Sequence, residues 1–104
     1  MITPTPLLSK DQLLVAARIL KILAHPVKLE VLQLLGATEV PMDVSSLCEQ
    51  IGATCEISMM SHHLAKMRDN GILESEKRGK QVFYTITDRS ILKLLDCMHN
   101  CDLI

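Results

Sequence analysis

Residues 58 to 84 read SMMSHHLAKMRDNGILESEKRGKQVFY. In the first half Met60, Leu64 and Met67 fall at i, i+4 and i+7, with His63 beside them, the stripe of a helix packed on one side. The opposite face carries Ser58, Met59, Ser61, His62, Ala65 and Lys66. Hydroxyls, an imidazole and a lysine make a poor core, but they suit hydrogen bonds with base edges and phosphates in a major groove. Asn70-Gly71 predicts the helix end, because glycine tolerates the left-handed conformation of a C-terminal cap. Ile72 to Lys77 and Gln81 to Thr87 then read as two strands joined by Arg78-Gly79-Lys80. Glycine supplies positive φ to a hairpin turn, and the flanking cations would meet a phosphate backbone.

Upstream, Thr3-Pro4-Thr5-Pro6 reads as an extended arm. Ser9 and Gln12 fit a capping box ahead of a helix whose stripe is Leu13, Ala16/Ala17, Leu20 and Leu23. His25-Pro26 breaks that helix and starts a second, Pro26 to Leu35, which Gly36 is expected to end. A connector over residues 37 to 42 contains Pro41; Asp43 then caps a short helix, Val44 to Ile51, closed by Gly52. The turn Ala53-Thr54-Cys55-Glu56 leads into the polar-faced helix, and Asp88 caps a last helix from Arg89 to about Cys101. The fold expected is mainly α with a small β-hairpin, a winged helix-turn-helix in the order α-α-α-α-β-β-α, one DNA-binding and dimerisation domain over residues 1 to 104.

Composition narrows the function classes. The chain is 48% hydrophobic but 2% aromatic, so its core must be aliphatic. The first and last helices carry more apolar surface than one small core can use, which predicts a second copy of the chain as partner. A formal charge of −1 excludes nucleic-acid binding by bulk charge and leaves a local patch, since Lys66, Arg68, Lys77, Arg78 and Lys80 cluster between residues 56 and 80. The apolar run from Leu13 to Leu23 is broken by Arg18 and Lys21, so neither a secretory signal nor a membrane span is expected, and the location reads as cytoplasmic. In that setting Cys48, Cys55, Cys97 and Cys101 read as reduced thiols rather than a disulfide framework. No nucleophile elbow, phosphate-binding glycine loop or usefully spaced carboxylate pair is present, so an enzyme is not expected.

Three segments in order carry a family resemblance. LAHPVKLEVLQLL (23 to 35), SHHLAKMRDNGIL (61 to 73) and KRGKQVFYTI (77 to 86) resemble the "LADPTRLRIL", "SHHLKxLRxAGLV" and "RxGRxVYYxL" elements of the ArsR/SmtB family of bacterial winged-helix repressors. The resemblance implies a homodimer joined by its first and last helices, repression by binding an imperfect palindrome in double-stranded DNA, and release by a metal ion, a metalloid or a thiol-reactive signal. The sequence departs from the family at its ligand sets. The thiolate pair of "ELCVCDL" falls on Asp43 and Ser45; of the zinc-sensor set Asp88 survives, with Ser90, Cys101 and Ile104 at the other positions. The turn IGATCEIS is about two residues longer than the usual "LGLSQS".

The candidate DNA contacts are therefore Ser58, Met59, Ser61, His62 and Lys66 on the helix, with Arg78 and Lys80 on the wing. Lys66 and Arg68 are also positioned for ion pairs, and His63 for a hydrogen-bonded packing role. Cys48 reads as a small core residue, while Cys55, just before a helix N-terminus, is a redox candidate. Cys97 and Cys101, four apart on one helix, are candidates for a thiophilic metal or metalloid ion, with packing at a dimer seam as the alternative. The rival class is a winged helix used as a protein-interaction module, with no specific DNA binding.

Overall fold

A computed structural model describes residues 7–52 and 55–104; the proline-containing arm lies outside them, as do Ala53 and Thr54 of the long turn. The order is α1 (Lys10–Leu23), α2 (Pro26–Ala37), β1 (Met42–Asp43), α3 (Val44–Ile51), α4 (Ile57–Asp69), β2 (Leu73–Arg78), β3 (Gln81–Ile86), a 3-10 turn (Arg89–Ile91) and α5 (Leu92–His99). This is the winged helix-turn-helix expected from the sequence, with a third strand added. The strands form an antiparallel sheet in the order β1-β3-β2.

Local chemistry sets most of the boundaries. Ser9 and Gln12 close the capping box of α1, the Gln12 amide donating to Ser9 Oγ at 3.1 Å and the Ser9 amide to Gln12 Oε1 at 2.9 Å. At the end of α4 the Ile72 amide donates to the Met67 carbonyl and the Gly71 amide to the Arg68 carbonyl, with Gly71 at φ 79°. That pair of bonds is the Schellman arrangement, and it turns the chain directly into β2. In the wing Arg78 pairs with Gln81, leaving Gly79-Lys80 as a two-residue turn. Gly79 has φ 64° and Lys80 has no positive φ, as in a type II′ hairpin with glycine first.

Gly36 does not end α2, which continues to Ala37. Its role is close approach instead: a Cβ there would stand 2.8 Å from Leu92 Cδ2, so α5 packs on α2 where a side chain is missing. Arg89 fastens the same junction by donating from Nη2 to the Gly36 carbonyl at 2.8 Å. The last helix is shorter than expected at both ends: its first turn is the 3-10 turn capped by Asp88, and it stops at His99 with Asn100 as C-cap, so Cys101 lies beyond the helix expected to carry it on one face with Cys97.

The core is aliphatic, as the composition required. Leu23, Val31, Leu32, Leu35, Leu47, Met60, Leu64, Met67 and Leu73 are all buried, with Tyr84 the aromatic member. The added strand, β1, depends on Asp43, which does more than the capping expected of it. Asp43 Oδ1 accepts from the Ser46 amide at 3.0 Å, Oδ2 accepts from Gln81 Nε2 at 3.0 Å, and its backbone pairs with Phe83. One carboxylate thus caps α3 and ties it to Gln81, beside the turn of the wing. The connector over 37 to 42 concealed β1 because two residues leave no alternation to read.

Replacing Asp43 by Ala is expected to cost about 1–2 kcal/mol in urea denaturation at neutral pH, the usual range for losing an N-cap. The hydrogen bonds from Ser46 hold the carboxyl below its ordinary value of 3.8, so on acidification the unfolded chain takes up the proton first. The contribution is complete above about pH 4 and is lost as pH falls through the lower folded value. An Asp43→Ala chain as stable as its parent at neutral pH would show that the cap is idle.

Candidate nucleic-acid interface

The stripe Met60, Leu64 and Met67 fixes which side of α4 faces out. All three side chains are at most 1% exposed, whereas Ser58, Met59, Ser61, His62 and Lys66 are exposed. The five helix contacts anticipated from the sequence therefore share the open face, and Met59 is 50% exposed despite being apolar. A methionine there offers a contact for a thymine methyl or a sugar rather than a core side chain. Ala65 is half-buried and marks the edge of this face.

The wing supplies the second group of cations. Arg78 pairs with Glu76 at 3.1 Å and lies over the Phe83 ring at 5.1 Å, which orients the guanidinium before any partner arrives. Lys80 at the turn and Lys77 have no ion-pair partner among the described residues. Arg68 is engaged as the sequence suggested, bonding Asp69 at 3.1 Å, whereas Lys66 forms no ion pair among the described residues. These exposed pairs add little to stability and yield readily to a phosphate.

His63 differs from its expected hydrogen-bonded packing role: it packs ring on ring against His25, with centroids 4.6 Å apart. His25 in turn caps α2, its Nδ1 accepting from the Val27 amide at 3.2 Å. Lys28 lies in the same neighbourhood, 6% exposed and without a salt bridge among the described residues. Burial lowers its pKa, and the positive Lys66 lowers it further. Burial likewise pushes His63 down, assisted by His25, Lys28, His62 and Lys66. The N-terminus of α2 and the middle of α4 therefore bring together two lysines and three imidazoles. An arrangement whose members repel one another is suited to an anion that arrives from outside. Sequence reasoning missed Lys28 and His25 because only the fold sets the start of α2 beside His63 of α4.

The cysteines are arranged differently from expectation. Cys48 is buried, as a core residue should be, but it is not a free thiol: it is joined to Cys55 in a disulfide across the turn between α3 and α4. Cys55 at 5.4 Å in Cα separation is close enough for that bond, whereas the absence of a secretory context had pointed to four reduced thiols. Cys97 and Cys101 are free, the first exposed and the second half-buried. Among the described residues no group of three or more His, Cys, Asp or Glu side chains converges as a metal site, so these two sulfurs have no further ligand among them.

Comparison with known proteins agrees with this geometry. The profile of a family described as "Helix-turn-helix domain" matches residues 23–76. The HTH-type transcriptional regulator YgaV of Escherichia coli K12 is 28% identical over 82% of this chain and 83% of its own. The biofilm growth-associated repressor of Xylella fastidiosa is 32% identical over 80% of this chain and 69% of its own. Among solved structures HlyU of Vibrio cholerae superposes with a TM-score of 0.76 at 24% identity, covering 88% of this chain and 98% of that one. These curated relatives are regulators of transcription, not enzymes.

The depressed His63 carries a pH signature. Its folded pKa lies below the ordinary 6.5, so as pH falls through 6.5 the unfolded chain binds a proton that the folded chain resists. Stability is thus complete above that value and declines below it until His63 itself protonates. Denaturation midpoints at about pH 7.5 and about pH 5.5 should differ less in His63→Gln than in the parent. Equal losses in both proteins would assign the decline to other groups.

Proposed function

The chain belongs to the ArsR/SmtB family of winged helix-turn-helix transcription regulators, and on that premise we propose that it is a cytoplasmic, homodimeric repressor that a thiol-directed signal releases from an operator. The observation that carries the reading is the bare face of α4, whose polar residues and Lys66 are exposed, as are the cations of the wing. Ser61 and His62 read base edges, Ser58 and Met59 support the same groove contact, and Lys66, Arg78 and Lys80 hold phosphates. His25, exposed at the N-cap of α2, adds a further contact beside them.

Dimerisation is supported by what α1 leaves uncovered. Only Ile22 and Leu23 of that helix are buried; Leu13, Leu14 and Leu20 are 53%, 71% and 51% exposed. An apolar groove beside them is lined by Leu20, Leu23, Leu94, Leu95 and Met98, so one continuous surface runs from α1 to α5. A second copy would cover it and set the separation of the two α4 helices, which a palindromic site requires. Cys97 and Cys101 follow the groove residues Leu94 and Leu95 in the chain, and a thiophilic ion held by them would take its remaining ligands from the second copy. Sedimentation at micromolar concentration should show a dimer, with Leu14→Glu and Leu20→Glu shifting it to monomer. A monomeric parent would contradict the interface.

DNA binding is tested on a duplex selected from a random-sequence pool. Ser61→Ala and His62→Ala should each weaken that duplex by about 1–3 kcal/mol while sparing unrelated DNA. Arg78→Ala with Lys80→Ala should weaken all duplexes and reduce the steepness of the salt dependence. A protein-interaction module would enrich no duplex in the selection and would show no salt slope to change.

A further inference from the structure

We propose that the Cys48–Cys55 pair is a reversible dithiol–disulfide switch, closed by a small hydroperoxide, that sets how firmly the first turns of α4 are held for DNA. The proposal rests on the DNA-binding reading above and adds a site of regulation within the helix-turn-helix itself, separate from Cys97 and Cys101.

The placement of the bridge supports this. Glu56, the N-cap of α4, makes no side-chain capping bond, and Ile57 and Met59 in the first turn are 55% and 50% exposed. Before Met60 reaches the core, the fastening on α4 is therefore the covalent link from Cys55 to the buried Cys48 of α3. Gly52 lies between them at φ 122°, its amide donating to the Cys48 carbonyl and its carbonyl accepting from the Cys55 amide, each at 3.0 Å. Four of the proposed contacts, Ser58, Met59, Ser61 and His62, lie within the first six residues of the helix that the bridge anchors. With the bridge open, an uncapped helix end frays, and ordering it on DNA consumes binding energy.

Access is asymmetric. Cys48 is 6% exposed, whereas Cys55 is half-buried and lines a surface pocket with Val27, Ile51, Glu56, Met59, Met60 and His63. Cys55 is therefore the attacking sulfur and Cys48 the resolving one. Mostly apolar walls with one carboxylate favour a small uncharged oxidant over a bulky anionic disulfide. His63, held neutral by burial and by neighbouring cations, offers a proton acceptor on the same pocket wall.

The chemistry balances. The Cys55 thiolate attacks an oxygen of the hydroperoxide, the O–O bond breaks, and an alcohol, or water from hydrogen peroxide, leaves with a proton to give a sulfenic acid. The Cys48 thiolate then attacks that sulfur, the S–O bond breaks and water leaves. Two electrons pass from the two sulfurs to the peroxide, and the two thiol protons end in the released products. A dithiol reductant reverses the change by exchange, one mole becoming a cyclic disulfide.

The test uses the full chain and a duplex selected separately with oxidised and with reduced protein. After treatment with hydrogen peroxide, alkylation and peptide mass mapping should show Cys48 joined to Cys55. Oxidised protein should bind the duplex ~10-fold more tightly than reduced protein, and dithiothreitol should restore the weaker state. Cys55→Ser and Cys48→Ser should both stay at the reduced affinity under either treatment, with a helical circular dichroism spectrum confirming that they fold. Equal affinity of the two wild-type states, with the bridge verified by mass, would overturn the switch while leaving DNA binding intact. A bridge that peroxide fails to form would overturn it as well, and absence of DNA binding in both states would overturn the parent reading and the switch together.

Discussion

Three side chains, Met60, Leu64 and Met67, hold α4 against the core, and the function proposed for this chain depends on that hold. Each buried methionine or leucine contributes about 1.5–3 kcal/mol of transfer free energy, enough to fix the helix about its long axis. Once those three point inward, helical geometry sends Ser58, Ser61, His62 and Lys66 outward. The polar face is the consequence of the packed one, which is why a sequence containing Met60, Leu64 and Met67 in this register presents serines and a histidine to solvent.

Around this helix the fold is joined at a few directional contacts. Asp43 caps α3, bonds Gln81 of the wing and pairs along its backbone with β3. That carboxylate joins the helix-turn-helix to the wing, as a reader of DNA requires if helix and wing are to meet groove and backbone together. Arg89 and the missing side chain at Gly36 bring α5 against α2 at the opposite end. The apolar face that results, running from α1 to α5, is left uncovered in the single chain.

Most of the architecture was legible in the sequence because it rests on local signals. The Ser9 box, the Asp43 and Asp88 caps, the glycine at the end of α4 and the stripe within it each act over a few residues. What escaped were consequences of packing. Gly36 looked like a helix stop but answers to Leu92, far along the chain, and β1 is too short to show alternation. The open face of α4 and the wing cations could be named in advance; the gathering of His25 and Lys28 beside them required α2 to be placed. The cysteines were read by compartment, and compartment does not say which two sulfurs the fold brings within bonding distance.

The most direct test is amide chemical-shift mapping of the isotope-labelled protein with its selected duplex. The account predicts the largest changes over residues 57 to 66 and at Arg78, Gly79 and Lys80, smaller ones at the start of α2, and little at Leu13, Leu20 or Met98 on the face reserved for the second copy. Changes centred on α1 and α5, with α4 and the wing unmoved, would contradict it.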